Sequence, residues 1–323
     1  MRSLRLYRLG ISLLFLAGNV VIITAQQAPQ YGLYMFEPYA YNPAYGGLTN
    51  SISISADVRK QWSGLNGAPT TQFVTVHMPL YLLSSGVGIA LTNESLGAHT
   101  QTGGQLSYNY VINNLGFGLF SIGASLGVMN RRIQGGELRT PEGNYEGGIN
   151  HNDPIISTGV GSVLFGTVGG GIYFRSNNLD AGVGFYQLLG TTIIEKRHQY
   201  KPSNHLIFNA VYFIDITEGW KVAPSMLLKY DYVTLQTDVD LQLYRGNFIL
   251  GAGVRGYSSK SLDAYKVNIS GRLNERTLIG YNYEGTLSGL KSVNDNTHEL
   301  FLQFRIPSKM LIKPQKIIYH PRM

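Results

Sequence analysis

From about Ser51 to Ile306 the chain alternates apolar and polar residues in run after run, and it nowhere sustains the three- and four-residue spacing of a helix. Ile52, Ile54, Ala56 and Val58 interleave with Ser51, Ser53, Ser55, Asp57 and Arg59. Side chains on a strand alternate between its faces, so this pattern turns one face to an apolar medium and the other to a polar one. Val239, Leu241 and Leu243 alternate in the same way with Asp238, Asp240, Gln242 and Tyr244, and Leu300, Leu302, Phe304 and Ile306 with Glu299, Gln303 and Arg305. About fourteen such segments centre near residues 56, 75, 89, 106, 124, 172, 184, 210, 225, 240, 252, 267, 280 and 302. An even number suits a closed bacterial barrel, and closure removes the unpaired edges that lipid could not hydrogen-bond. The expected fold is all-β: a transmembrane, antiparallel, up-and-down β-barrel of about fourteen strands, with short periplasmic turns and longer extracellular loops.

Connection lengths give a second test. If the first strand starts on the periplasmic side, the even-numbered connections near 81–84, 113–115, 177–178, 216–218, 245–246 and 274–275 are all short. The long ones, near 63–70, 94–99, 134–166, 189–203 and 286–296, fall on odd positions, although two odd ones near 232–233 and 258–261 are short too. The 134–166 stretch, rich in glycine, is the largest outer loop, and Thr158 to Gly166 is apolar enough to extend the following strand. Trp62 and Trp220 are placed to anchor opposite lipid-water boundaries.

The chain opens with Arg2, Arg5 and Arg8, an apolar stretch from Ile11 to Ile23, and Thr24-Ala25-Gln26. This reads as a secretory signal peptide, 1–25, cleaved after Ala25. The stretch is too short and too interrupted for a spanning anchor, and with no cysteine near it a lipoprotein is excluded. The expected organisation is then a periplasmic N-terminal segment over 26–50, an outer-membrane barrel over 51–306 and a basic periplasmic tail over 307–323.

The formal charge of +7 points at first to a nucleic-acid partner. The three leader arginines and the four tail cations Lys309, Lys313, Lys316 and Arg322 account for all of it, so residues 26–306 carry no net charge and a nucleic-acid face is excluded. The 39 glycines and 22 tyrosines are unusual for a soluble enzyme and ordinary for membrane strands. With no cysteine there is no disulfide framework, thiolate metal site or thiol nucleophile.

Several patterns mimic chemistry. Gly123-Ala-Ser125-Leu-Gly127 matches a nucleophile elbow, which requires a sharp turn from strand into helix, yet it sits inside an alternating strand. Gly251-Ala-Gly253-Val-Arg-Gly256 matches a dinucleotide fingerprint, but a turn follows instead of a helix, so its inward glycines make room across the interior. The seven histidines lack ligand spacing. Asp238 and Asp240 share a face and are read as lumenal acids balanced by Arg or Lys, along with Asp57, Arg59, Arg255, Glu299 and Arg305 on the same polar side. No catalytic residue, cofactor or metal is expected.

Residues 30–47, Gln-Tyr-Gly-Leu-Tyr-Met-Phe-Glu-Pro-Tyr-Ala-Tyr-Asn-Pro-Ala-Tyr-Gly-Gly, hold too much proline and aromatic side chain for a ladder strand. Tyr34-Met35-Phe36 followed by Asn42-Pro43-Ala44-Tyr45 resembles the opening signature of mature PorP/SprF proteins. Arg59-Lys60-Gln61-Trp62, Gly67 to Gln72, Pro224-Ser225, Ile279 to Tyr283, Thr286-Leu287-Ser288 and Thr297-His298-Glu299 match further pieces in order. Glu37, where an amide is expected before Pro38, and the long basic tail depart from the pattern. The resemblance implies an outer-membrane component of type IX secretion or gliding machinery in the Bacteroidota. It implies partners among periplasmic or outer-membrane secretion components or a secreted surface adhesin, and outer-membrane lipid and lipopolysaccharide around the barrel.

Segment 30–47 is expected to pack under or into the barrel base, either as a structural plug or as a docking surface in which Tyr34, Met35, Phe36, Asn42, Pro43 and Tyr45 touch a partner. Lys309, Lys313 and Lys316 are expected either to dock on an acidic periplasmic protein or lipopolysaccharide phosphates, or to belong to a frayed end. Rival readings are a general diffusion pore, which the strand number does not decide, and a membrane-embedded hydrolase, for which no ordered Ser/His/acid set is visible.

Overall fold

A computed structural model describes residues 29–112, 116–154, 156–187, 193–195, 198–200, 203–257, 261–292 and 294–307. The leader and the tail lysines Lys309, Lys313 and Lys316 lie outside the described residues. Fourteen barrel strands follow one another: β1 (Ser51–Lys60), β2 (Thr70–Leu80), β3 (Ser85–Leu96), β4 (His99–Ile112), β5 (Leu119–Gln134), β6 (Val160–Arg175) and β7 (Leu179–Tyr186) form one half. The other half is β8 (His205–Tyr212, resumed by Ile214–Thr217), β9 (Trp220–Tyr230), β10 (Leu235–Arg245), β11 (Phe248–Tyr257), β12 (Ala264–Arg272), β13 (Thr277–Thr286) and β14 (Thr297–Pro307). Each strand pairs antiparallel with the next, and β14 returns to pair with β1 from Ser51↔Pro307 to Lys60↔His298, so the sheet is closed. Every expected segment centre falls within one of these strands.

The faces sort as the alternation requires. Val58, Leu126, Leu241, Val267 and Leu300 are exposed on the outside, where lipid replaces water, while Ser53, Asp57, Asn109, Asp238, Gln242 and Asn282 are buried inside. Two prolines shape the ladder because their nitrogens have no hydrogen to donate. The register from Val211↔Ser225 to Ile214↔Val222 sets the gap in β8 opposite Pro224 and Ala223. Pro79 lies just past Ser53↔His77, where the β1–β2 ladder stops.

The inner ends of the strands join by short turns, including Gly246-Asn247 with Gly246 at φ +56°. At the outer end one connection differs from expectation: 94–99 is no long loop, because β3 continues to Leu96 and turns at Gly97-Ala98. Asn93 and Glu94 pair with Gln72 and Thr71 on one side and with Thr102 and Gln101 on the other. This part of the ladder carries polar side chains on both faces, so the alternation that signals a strand disappears while the hydrogen bonds continue. The largest outer loop, between Gln134 and Val160, is ordered by its own contacts. Asn144 and Asn150 exchange backbone bonds of 2.7 and 3.0 Å, and the Tyr145 hydroxyl meets Thr140 N at 2.7 Å and His151 Nδ1 at 3.2 Å.

Wall height is uneven. β5 and β6 run 16 residues each, whereas β7 has 8, so β6 pairs with β5 along its length but with β7 only from Gly170 onward.

Candidate functional site

The interior is filled by the chain's own N-terminal segment. Pro29–Asn50 runs along the lumen from the outer half to the inner mouth. The Pro29 carbonyl accepts from Lys229 Nζ near the outer end of β9 at 3.0 Å, Glu37 meets Ser55 midway down, and the Leu48 carbonyl accepts from Arg175 at the inner end of β6 at 3.0 Å. The segment therefore lies inside the barrel and reaches the inner mouth only near Asn50. Two short 3-10 turns, Pro38–Ala40 and Pro43–Tyr45, make it compact. Each has proline in its first turn, where a missing N–H costs nothing, and Asn42 caps the second by accepting from Ala44 N at 3.0 Å.

The outer half of the segment is held by charge. Glu299 of β14 accepts from Gly32 N at 2.9 and 2.6 Å and from Leu33 N at 2.9 Å. Arg59 bridges Glu299 at 3.0 Å and grips Glu284 in a two-pronged pair at 2.6 and 2.7 Å. Arg255 bonds Glu284 at 2.6 Å and Asp238 at 2.7 Å, and Lys266 bonds Asp238 at 2.9 Å and Asp240 at 2.6 Å. Arg255 also reaches the Gln30 side chain at 3.4 Å, and Lys266 lies 5.2 Å from the centre of the Tyr34 ring. Ionised groups taken out of water this fully persist only when paired and hydrogen-bonded, and this cluster meets both conditions.

Rings and amides hold the segment along its whole length. Tyr31 packs edge-on against Phe73 at 4.6 Å, Phe36 stacks on Phe301 at 6.0 Å, and Tyr45 meets Tyr173 at 5.0 Å. Tyr39 hydroxyl bonds Ser107 at 2.7 Å, Asn42 Nδ2 donates to the Ile172 carbonyl at 2.9 Å, and Gly47 N donates to His77 Nδ1 at 3.0 Å. Glu37, the departure from the family pattern, lies 3.3 Å from His77, with Gln303 donating at 3.1 Å and Ser55 bonded to it.

Wall glycines make the space. A β-carbon on Gly184 would sit 2.6 Å from the Tyr41 carbonyl oxygen, and one on Gly123 would sit 2.7 Å from the Ala44 backbone. No side chain fits where the plug's backbone touches the wall. The fingerprint glycines Gly251 and Gly253 also face inward, against Gln242 and Asp240. Ser125 of the elbow-like motif lies within β5 facing the lumen, 3.4 Å from Gln105.

The sequence-read lumenal residues Asp57, Arg59, Asp238, Asp240, Arg255 and Glu299 are all buried inside, and Arg305 sits half-buried at the inner end of β14. The segment residues read as partner-binding lie inside the barrel. Tyr34, Phe36, Asn42, Pro43 and Tyr45 are buried and Met35 half-buried, so in this arrangement they face the barrel wall and offer no surface to a second protein. Glu284, Lys266 and His77 were missed. Their inward phase was legible from Asn282-Tyr-Glu284 and Lys266-Val-Asn268, but nothing in the sequence placed them beside the plug.

Because the plug fills the interior, lumen-facing polar groups are almost out of reach of water: Arg59 and Lys266 are each 1% exposed, and Gln242 and Asn282 0%. Among the described residues no cluster of side chains suited to a metal ion occurs.

Among solved structures the CymD monoaromatic hydrocarbon channel matches with a TM-score of 0.50 at 11% identity, covering 87% of this chain and 94% of that one. The outer membrane protein Omp33 of Acinetobacter baumannii matches with a TM-score of 0.45 at 8% identity, covering 79% and 98%. At 11% identity the likeness to the CymD channel is one of fold, that of an outer-membrane barrel. No curated protein sequence matches significantly. The sequence profile of the type IX secretion system membrane protein PorP/SprF matches residues 23–304, nearly the whole of the barrel and its plug. The chain is therefore an outer-membrane barrel that belongs to the PorP/SprF family of type IX secretion.

Proposed function

We propose that this barrel is a scaffold or anchor of the type IX secretion or gliding machinery, linking periplasmic components or a secreted surface adhesin to the outer membrane, and that it does not serve as a diffusion pore. The observation that supports this is the filled lumen. A pore that passes solutes keeps its lumenal charges wet, whereas here Arg59, Glu299, Asp238 and Lys266 are paired with one another and closed over by Pro29–Asn50. Without a permeation path, what the fold offers is a rigid, membrane-held body with a self-contacting loop outside, between Gln134 and Val160, and a mouth facing the periplasm. On this reading residues 1–25 direct export and leave after Ala25, and the basic tail over 307–323 adds a periplasmic contact. Purification in mild detergent, with identification of the proteins that come with it, is expected to recover type IX components. Single-channel recording in planar bilayers is expected to show a closed barrel. Steady ion conductance by the intact protein, with no secretion component recovered, would reject the proposal.

A further inference from the structure

At the inner mouth, beneath the end of the plug, lies an open cleft of about 540 Å³ lined by Thr49, Asn50, Arg175, Ser176, Asn177 and Arg305 among others. Its lining includes no aspartate or glutamate. Arg175 is engaged, since it bonds Asp180 at 3.1 Å and the Leu48 carbonyl at 3.0 Å, which fixes the end of the plug. Arg305 is not: its Nε is buried without a hydrogen-bond partner, and it forms no ion pair among the described residues. The Arg59 Nε is unpartnered too, so it is the missing ion pair that sets Arg305 apart from Arg59, Arg255 and Lys266 higher in the lumen, each of which holds a carboxylate. A guanidinium half-removed from water without an anion leaves a strong, planar, two-pronged donor set unused. Asn50 and Asn177 line the same space, and their side-chain amides add neutral donors, whereas the Ser176 hydroxyl is taken up by the Leu179 carbonyl.

We propose that this cleft is a carboxylate-binding site that receives an acidic stretch of polypeptide from a periplasmic partner, with Arg305 as its principal contact. The cleft opens inside the ring of strands, away from the lipid-facing surface, so a peptide can enter it and a membrane phosphate is not presented to it. Its volume lies within the usual range of ligand sites. The proposal rests on the scaffold reading given above and names the chemistry of its periplasmic side.

The test uses the full-length protein in nanodiscs of zwitterionic lipid, with a dye-labelled oligo-glutamate peptide and a Gly-Ser peptide of equal length, read by fluorescence anisotropy. The oligo-glutamate is expected to bind in a salt-sensitive manner and the Gly-Ser peptide not to bind. Arg305→Gln is expected to weaken binding roughly tenfold, with Arg305→Lys retaining part of it. Folding of each variant is checked by heat-modifiable migration in gels. Should Arg305→Gln fail to fold, Asn50→Asp, which adds a carboxylate at an exposed rim position, is expected to suppress binding by repulsion. Equal binding of the two peptides, or oligo-glutamate binding unchanged in Arg305→Gln, overturns the site. Secretion components that still copurify with Arg305→Glu overturn the site and leave the scaffold standing. Arg305-dependent peptide binding by a barrel that recovers no secretion component supports the site and sinks the scaffold.

Discussion

The seat of the plug can be weakened at one atom pair. Glu299 accepts from Gly32 N, Leu33 N and Arg59, and from Asn282 at 3.5 Å, so Glu299→Gln keeps the shape, removes the charge from the three short contacts and turns its NH2 toward a donor at one oxygen. A bond to an ionised group contributes about 1.5–3 kcal/mol and a neutral one about 0.5–1.5, so the change costs roughly 1 kcal/mol per bond, or about 3 kcal/mol in all. At about 1.4 kcal/mol per decade, the population with the outer half of the plug released should rise about two decades. Because the chain has no cysteine, a single Leu33→Cys gives an accessibility probe free of background. Leu33 is 2% exposed, so the probe should resist a bulky maleimide in the parent barrel and react on the order of a hundredfold faster with Glu299→Gln. Equal labelling rates in two folded barrels would mean that the carboxylate does not hold the plug.

Gly184→Val should force the Tyr41 backbone off the wall and open the Leu33→Cys probe, while the lipid-facing Gly170→Ala, whose nearest atom would be 3.6 Å from the new carbon, should leave labelling unchanged; similar rates for the two would refute the glycine seat. An epitope inserted between Gly147 and Gly148 should bind antibody on intact cells, and one inserted at Gly246-Asn247 should not; the reverse result would invert the barrel. Pro224→Ala should give the β8–β9 ladder a missing donor, seen as slower amide exchange around Tyr212 and Phe213, and faster exchange there would show that the break has another cause. Trp220→Ala, which removes a ring 4.6 Å from the Arg245 guanidinium at the inner boundary, should lower unfolding stability in lipid by roughly 1 kcal/mol, and an unchanged urea midpoint would deny the anchor.

The strands were legible because a closed sheet between lipid and a polar interior imposes a period of two on nearly every segment, from Ile52-Ser53 to Phe304-Arg305. Legibility ended where that contrast ended. Asn93 and Glu94 read as loop because polar groups on both faces of β3 erase the period. The composition of residues 30–47 excluded a strand, yet its path through the lumen depends on contacts such as Gly32 with Glu299, 267 positions apart, which no local pattern encodes. Lys266 and Glu284 were readable as inward-facing but not as neighbours, since only the register from β12 to β13 brings them opposite each other.

That same long-range contact bears on how the molecule is built. The first described residues rest on a carboxylate carried by β14, and Arg59 of β1 completes the grip from across the seam where the two ends of the sheet meet. Seating of the outer plug must then wait until β14 has joined β1. A polypeptide cut short before Thr297 would keep its leading segment but lack both the acid that holds it and the strand that encloses it, so a stoppered barrel certifies that synthesis passed β14.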